Sequence, residues 1–442
     1  MPSTLLATHT PKLTAGTLLG RQPGKSESFA MSTSDILLFM VDGENTCRIG
    51  HPPQKSTDNY HTSAKKIGKI ENACKITHSP DGKLYVVHGS HLYEGPFPNC
   101  EGMNWFKGAR RIGKEEWDNF KLITFDLDGK LYAVTHEGDL FKGHPPSNEN
   151  ESWIDKAKKI GGGKWNALTA LFFDPKGMFY ALTSDKFVKG PCPTEADKNW
   201  LDHAEVIGGS TWATLSHLIA FSPDGDLWCV NRSNGEIFAG PPPTNKTENW
   251  QDKAQKLGTG YQVYKYLSFL QDKTIMKILC LRFLIENGNI LNQKAEVVEE
   301  KVFDNKGGNQ PLNLKFEIDK TFMEKSVFSE EHGFKVGVDG KTTFKTGIPK
   351  LEKDGSTIGI NIVSPHKWDL TKPNETEKQF ILSVDLTIDP GKTERKKATV
   401  HRATLNIPYS ATVLNLYGCK TMISGTWTGD CYYNLQVEQS QQ

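Results

Sequence analysis

The chain has 442 residues, which is long enough for two or more domains that each bury a core. Its net charge of +1, with 24% charged residues, gives no electrostatic reason to expect a nucleic-acid partner. The eight cysteines form no C-x-x-C pair, so we expect mostly free thiols, no bound metal and no cofactor.

The first segment of the chain, residues 1–30, is polar and lacks the apolar stretch of a signal peptide. We expect a disordered leader, with the folded part beginning near Met31. No apolar run farther along approaches the roughly 18–20 residues that a membrane helix needs.

Tryptophan pairs recur along the first 270 residues, and the two members of each pair are twelve residues apart. These pairs are Trp105/Trp117, Trp153/Trp165 and Trp200/Trp212. The first member opens the phrase W-x-x-x-A-x-x-I-G, which recurs with small changes from Tyr60 to Trp250. Self-similarity at 40–50 residues is typical of propellers and solenoids.

Two half-repeats alternate and are out of step at the ends. A strand–turn–strand half ends at Gly50, Gly95, Gly143, Gly190 and Gly240. The tryptophan half also occurs five times. The chain begins with a strand half, from Asp35, and ends with a tryptophan half, from Trp250 to about Leu270. A linear solenoid would need distinct polar caps, whereas a closed ring needs none. We predict a five-bladed β-propeller over residues 31–272, with about four short strands in each blade.

The combined pattern is most complete over residues 153–193, which read W-x(3)-A-x-x-I-G-x-G-x-W, then F-D-P-x-G, and then K-G-x-x-P. Over about residues 35–270 it resembles the tachylectin family of five-bladed propeller lectins. The resemblance implies glycan partners with N-acetylated hexosamines, bound at one site in each blade.

The resemblance places these sugar sites at the glycine-rich turn before the second aromatic residue of each repeat. A sugar needs an aromatic face and fixed polar groups, and glycine lets backbone amides approach a ligand closely. The candidate residues are Gly113, Trp117, Gly161, Gly163, Trp165, Gly208, Trp212, Gly258, Gly260, Tyr261, Asn104, Asn199 and Asn249. Blade packing is the alternative for every tryptophan, and we favour it for the first of each pair. Ile70 replaces the second aromatic residue in the first full repeat, so that site is expected to be weak or inactive.

The periodicity ends near residue 271. We expect a linker over residues 273–294 and an elongated, mostly antiparallel β domain over residues 295–442. From Phe334 to Ile348, apolar or hydroxyl-bearing residues alternate with charged or small ones, and the alternation resumes at Ile358. A membrane-spanning β-hairpin needs this pattern over roughly 9–11 residues per strand. A soluble hairpin with one face on a core satisfies it as well.

The segments 331–349, 388–392, 406–410 and 423–429 resemble the stem and later strands of aerolysin-type proteins, especially the natterin branch. That resemblance implies a homo-oligomer that, after activation, inserts one hairpin per chain into a lipid membrane as a β-barrel. The predicted hairpin spans residues 333–363. Its predicted membrane-facing residues are Phe334, Val336, Val338, Phe344, Ile348, Ile358, Ile360 and Ile362. Its opposite face carries Lys335, Lys341 and Lys345, which predicts a basic lumen that favours anions.

The sequence therefore predicts an all-β, glycan-directed pore-forming protein of innate defence, cytoplasmic or unconventionally secreted, that acts at membranes. The main alternative is a non-lytic multivalent agglutinin. A propeller glycosidase is a remote third possibility, because it needs two carboxylates at a fixed separation that break the repeat symmetry. We can assign no such pair, and we predict no catalytic residue.

Overall fold

The structure is a computed structural model that describes residues 35–184, 186–194, 200–209, 212–215 and 218–441. The leader predicted over residues 1–30 lies outside the described residues, and so does the candidate sugar contact Asn199.

In the described part of the first half, short strands form five four-stranded antiparallel sheets. In chain order the strands are β1 (Ile36–Asp42), β2 (Thr46–Gly50), β3 (Lys65–Lys69), β4 (Lys75–His78), β5 (Lys83–His88), β6 (His91–Pro96), β7 (Arg110–Ile112), β8 (Phe120–Phe125), β9 (Leu131–Thr135), β10 (Leu140–Gly143), β11 (Lys158–Gly161), β12 (Leu168–Phe173), β13 (Phe179–Thr183), β14 (Phe187–Gly190), β15 (Glu205–Gly208), β16 (Leu218–Phe221), β17 (Leu227–Val230), β18 (Ile237–Gly240), β19 (Gln255–Gly258) and β20 (Tyr264–Gln271). Four blades are continuous in sequence, from β4 to β19, and the fifth joins β20 to β1, β2 and β3. The prediction of a five-bladed ring closed by both ends is confirmed.

Ring closure rests on the pairing of β1 with β20. The two strands run antiparallel from Ile36 opposite Gln271 to Asp42 opposite Tyr264. Both faces of β1 are buried, because Leu37 and Phe39 pack into one inter-blade cluster and Leu38 packs into the other. A short continuous apolar run is what a strand covered on both sides requires.

Short helical turns connect the strands. The α-helical turns are α1 (Tyr60–Ser63), α2 (Trp153–Lys156), α3 (Trp200–His203), α4 (Trp212–Leu215) and α5 (Trp250–Lys253), and the 3-10 turns are Trp105–Lys107, Trp117–Asn119, Trp165–Ala167, Tyr261–Val263 and Ile285–Asn287. Among the described helices, none is long and apolar enough to span a membrane.

Alternating strand directions give the propeller two distinct rims. At the aromatic rim, the last strand of one blade ends and the first strand of the next begins, as at the turn between β19 and β20. At the junction rim, β20 ends at Gln271 and the second half of the chain begins. At roughly 3.3 Å per residue, the eight-residue β20 places these rims about 26 Å apart.

The second half consists of long strands. They are β21 (Thr274–Phe283), β22 (Asn289–Asp304), β23 (Leu312–Glu330), β24 (Lys335–Lys341), β25 (Thr343–Leu351), β26 (Ile358–Asp369), β27 (Asn374–Ile388), β28 (Thr393–Leu414) and β29 (Lys420–Gln441). Seven of them form one sheet of order β24-β21-β28-β29-β23-β27 in which β22 also pairs with β28, while β25 and β26 pair only with each other. A strand of 22 residues, such as β28, spans roughly 70 Å. The predicted elongated, mostly antiparallel β domain is confirmed, with β21 and β24 as a parallel pair.

The segment 273–294 is not a linker, because β21 and the start of β22 lie within it and pair with β28. Ile275, Ile278 and Leu281 from this segment are buried in the core of the second half. Their spacing of three does not alternate as a regular strand does. A register shift between Ile278 and Cys280 brings Ile278 and Leu281 to the same face, since a bulge moves the following side chains to the other face.

The turn between β28 and β29, residues 415–419, is a latch turn that docks on the propeller at the junction rim. The Tyr417 ring is 6% exposed and packs in the same cluster as Leu37. Lys65 Nζ donates a hydrogen bond to the Tyr417 carbonyl at 3.0 Å, and the Leu416 N–H donates to Asp272 Oδ2 at 3.0 Å. The two halves therefore meet through a buried ring and paired polar groups.

Replacing Tyr417 with alanine is expected to destabilise this junction by about 3 kcal/mol, as truncation of a buried aromatic ring typically does. The measurement is thermal and denaturant unfolding, with hydrogen exchange of β1 to β3. The control is Leu416→Ala, because that neighbouring side chain is 45% exposed and should change stability by less than about 0.5 kcal/mol. Equal stability of the two variants would contradict the docking role of Tyr417.

Candidate carbohydrate sites and membrane hairpin

The first aromatic residue of each repeat opens the helical turn before the last strand of its blade. Its ring is buried in all five repeats. Each of the four tryptophans donates its indole N–H to the backbone carbonyl nine residues earlier, at 2.7–2.9 Å. The acceptors are Pro96, His144, Pro191 and Pro241. These contacts place the first ring in blade packing, as the sequence analysis favoured.

The second aromatic residue lies at the aromatic rim and is also buried, with at most 3% of its surface exposed. Each ring packs against the first aromatic ring of the next repeat. The ring centroids are 5.6 Å apart for Trp117 and Trp153, 5.3 Å for Trp165 and Trp200, 5.3 Å for Trp212 and Trp250, and 6.4 Å for Tyr261 and Tyr60. The neighbouring blade therefore covers the ring face that the sequence analysis expected a sugar to use.

The candidate glycines accommodate these rings. A Cβ added to Gly161 would lie 2.2 Å from Trp165 Nε1, and one added to Gly208 would lie 2.1 Å from Trp212 Nε1. Gly113 and Gly258 are similarly close to Trp117 and Tyr261, at 2.6 and 2.9 Å. Two others, Gly163 and Gly260, have φ of 83° and 88°, which favours glycine for backbone reasons. The glycine pattern thus follows from packing and turn geometry.

Replacing Gly161 with alanine is expected to lower the free energy of unfolding by roughly 1–3 kcal/mol, because the added methyl group overlaps the Trp165 indole. Urea unfolding followed by tryptophan fluorescence measures the loss. The adjacent Gly162→Ala is the matched control, since its added Cβ would meet nothing closer than 3.5 Å. A Gly161 variant as stable as the control would show that the indole position is not constrained by this glycine.

Two of the candidate asparagines are engaged within the protein. Asn104 Oδ1 accepts the Phe106 N–H at 3.1 Å, and its Nδ2 donates to Glu71 Oε2 at 3.1 Å. Asn249 Nδ2 donates to Asp252 Oδ2 at 2.8 Å. Ile70 is fully buried beside Trp105 in the same cluster, so the position in the first full repeat is closed.

A cavity of about 210 Å³ opens beside Tyr261, at the turn before the strand that closes the ring. Its lining consists of Ser56, Thr57, Asp58, Asn59, Tyr60, His61, Thr259, Gly260, Tyr261 and Tyr264. The loop that carries Asp58 is held by its own carboxylate, which accepts the Gln54 N–H at 2.9 Å. The His61 ring lies 3.2 Å from the Tyr264 hydroxyl, measured from Nδ1. The walls thus offer fixed hydroxyl, carboxylate and imidazole groups to a ligand smaller than the drug-sized molecules of ~300–1,000 Å³ pockets. Sequence reasoning placed the sugar contacts at the glycine-rich turns and did not single out the loop 56–61.

The hairpin of β25 and β26 lies against the core of the second half. Phe344 pairs with Trp368 across the two strands, and both rings are buried. The Trp368 ring lies 5.7 Å from Phe328 and 6.0 Å from Trp427, centroid to centroid. Burial also raises the pKa of the Glu324 carboxyl, which lines a cavity of about 450 Å³ between the hairpin, β27 and β29. The root of the hairpin is therefore docked by aromatic contacts.

The predicted hairpin, residues 333–363, differs from the observed hairpin in both of its ends. The strand predicted from Phe334 onward breaks after β24, which pairs with β21 instead and carries Val336 and Val338. Asp339, with φ of 63°, and the following Gly340 interrupt the ladder, while the apolar alternation continues through them. The observed hairpin runs from Thr343 to Asp369.

The remaining predicted insertion residues differ in exposure. Phe334, Ile348, Ile358 and Ile360 are partly buried against the core, whereas Ile362 is 76% exposed and Val338 on β24 is 88% exposed. At the register shift between Thr346 and Ile348, where β26 carries the extra residues, the buried face of β25 changes from that of Phe344 to that of Leu351. The change of face could not be predicted from the sequence, because apolar and polar residues continue to alternate along it.

Five blades closed into a ring, with an aromatic pair at four of the five blade junctions, define the first half as a five-bladed β-propeller. The tachylectin family model matches residues 40–266, just over half of the sequence. The chain therefore belongs to the tachylectin family.

Several solved structures are similar to this chain, and they differ in how much of it they match. One, described as the de novo evolutionary emergence of a symmetrical protein shaped by folding constraints, is 28% identical with a TM-score of 0.48 and covers 53% of this chain and 98% of its own. Lamprey immune protein is 14% identical with a TM-score of 0.33, covering 71% of this chain and 87% of its own. An aerolysin-like protein of Bombina maxima is 12% identical with a TM-score of 0.27, covering 38% and 99%. No curated protein is similar enough in sequence to count as a match.

Proposed function

We propose that this protein is a lectin that binds glycans with N-acetylated hexosamines and then inserts a β-hairpin into a lipid membrane as a homo-oligomer. The observation that carries the proposal is the independence of the hairpin. Its strands β25 and β26 pair with each other, and no ladder joins them to the seven-stranded sheet within the described residues. The hairpin is thus held mainly by side-chain packing, on a chain whose other half is a lectin-family propeller.

The cavity beside Tyr261 supports glycan binding. Sugar hydroxyls and an acetamide group require fixed donors and acceptors, and Asp58, His61 and Tyr264 line the cavity with a carboxylate, an imidazole ring and a hydroxyl. A hydroxyl donating to a carboxylate forms a charge-assisted hydrogen bond, which is stronger than one between neutral groups.

Replacing Asp58 with asparagine is expected to weaken binding of N-acetylglucosamine or N-acetylgalactosamine about tenfold, since a charge-assisted hydrogen bond is lost. Isothermal titration calorimetry on the full chain measures the change. Glu151→Gln is the control, because Glu151 is the counterpart of Asp58 in another repeat and holds its own loop through the Ser147 N–H at 3.0 Å. Equal affinity in the two variants would show that the cavity is not part of the binding site.

Release of sugar from a chromogenic glycoside by the wild-type chain would indicate an enzyme.

The dimensions of the hairpin support membrane insertion. β25 has nine residues and β26 has twelve, and a tilted membrane strand needs roughly 9–11. Lys345 lies directly opposite Lys367, so each hairpin carries two lysines at one level. Lys335 and Lys341 lie on β24 instead, outside the hairpin. A lumen lined by the Lys345 and Lys367 pair in each chain would favour anions.

Pinning the hairpin to the body is expected to abolish leakage from liposomes that carry N-acetylglucosamine or N-acetylgalactosamine lipids. Leu351 is the position chosen for a disulfide to the body, because its backbone nitrogen lies 3.3 Å from the free thiol sulfur of Cys431 on β29. Leu351→Cys should form a disulfide with Cys431 on oxidation, and reduction should restore leakage.

The control is Leu351→Cys combined with Cys431→Ser, which removes the partner thiol and should leak under both conditions. Leakage by the oxidised and bridged protein would contradict insertion of this hairpin. Liposome binding and aggregation without leakage in the wild-type chain would leave a non-lytic agglutinin.

A further inference from the structure

The five repeats differ at the aromatic rim in the residue immediately before the second aromatic residue or its replacement, and the turn from Gly258 to Tyr261 is one residue shorter than the turn from Gly161 to Trp165. In chain order these residues are Lys69, Glu116, Lys164, Thr211 and Gly260. Gly260 is the one without a side chain, and the cavity beside Tyr261 opens there. The corresponding residues of the other repeats show whether their side chains fill the space that is open beside Tyr261.

Glu116 fills the position beside Trp117. Its Oε1 accepts the N–H groups of Trp153 and Ile154 at 2.6 and 3.2 Å, and its Oε2 accepts the Ser152 hydroxyl at 3.0 Å. These three partners are the counterparts of Tyr60, His61 and Asn59, which line the cavity in the fifth repeat. The carboxylate therefore occupies the place that a ligand would take beside Tyr261.

Lys164 spans the position beside Trp165. Its Nζ donates to Asp202 Oδ2 at 2.7 Å, so the side chain crosses the start of α3. At the position of Ile70, the Lys69 N–H donates to the Met103 carbonyl at 2.9 Å, and the Glu71 carboxylate binds Asn104. Thr211 lies outside the described residues.

We propose that the residue before the second aromatic residue is the gate of each sugar position. Gly260 leaves the position beside Tyr261 open, whereas Glu116 and Lys164 close theirs with their own side chains. The chain then binds an N-acetylated hexosamine at Tyr261 and at no more than one further position, that of Trp212. This inference rests on the proposed glycan binding and specifies how many of the five blades take part.

The number of open sugar positions decides whether multivalent binding to a glycan surface comes from one chain or from several chains. A ring with several equivalent sites would engage a glycan surface several times within one chain, but a ring with one or two sites would not. Strong attachment then requires several chains on the same surface. Glycan density and assembly of the oligomer are coupled for this reason.

Native mass spectrometry of the full chain with N-acetylglucosamine and with N-acetylgalactosamine counts the bound sugars. The wild-type chain should bind one or two, and Lys164→Gly should bind one more. Glu116→Gly should also add one, and the double variant two. Lys164→Gly is the safer variant, because its ion pair with Asp202 is exposed on both sides and stabilises the fold little.

Glu115→Gly is the matched control, because this neighbouring carboxylate binds His91 and Arg111 at the surface and has no role in the gate. Its sugar count should equal that of the wild-type chain. Five sugars on the wild-type chain, or unchanged counts in folded Lys164 and Glu116 variants, would overturn the gate while leaving the lectin proposal intact. No sugar on the wild-type chain would overturn the lectin proposal and the gate together.

Discussion

The contact between aromatic rings of successive repeats is the constraint on which the propeller depends. Trp165 stacks on Trp200 at 5.3 Å, equivalent aromatic pairs lie at three other blade junctions, and Ile70 packs in one cluster with Trp105 at the fifth. Each ring needs a glycine beneath it and a buried place between two blades, so the repeat pattern records inter-blade packing. Because the last such contact joins Tyr261 to Tyr60, the same interaction also brings the two ends of the ring together.

Since packing uses the ring faces, the proposed glycan binding at the aromatic rim depends on the polar groups around them. The loop before α1 and the turn at Gly260 supply those groups without contributing to the packing. A residue such as Glu116 can therefore change a binding position into a capped helical turn while the blade junction stays intact. In the proposed lectin the packing of the blades and the binding of sugar therefore use different groups, so a repeat can lose its sugar position without loss of the blade junction.

The propeller fold was predictable because the repeat period of the sequence indicates it, and a repeat period can be recognised without knowledge of any residue contact. The five half-repeats of each kind, out of step at the ends, indicated the closed ring that β1 and β20 form. Side-chain direction was not predictable in the same way, since Trp165 next to three glycines suits a ligand and a neighbouring blade equally well. The break at Asp339 and the bulges near Ile278 and Gly347 were also hidden, because they change the face of a strand without interrupting its apolar residues.

The docked hairpin sets the order of events in the proposed insertion. Its root is held by Trp368, and a buried aromatic side chain of ~150–250 Å² at ~25 cal/mol/Å² is worth about 4–6 kcal/mol. The outer edges of β25 and β26 have no strand partners in the docked hairpin, and lipid does not tolerate such unpaired edges. Neighbouring hairpins supply those partners only when chains are already side by side. Assembly on the glycan surface must therefore precede release, and the propeller, joined to the sheet through the latch turn, holds the chains there while the hairpins pair.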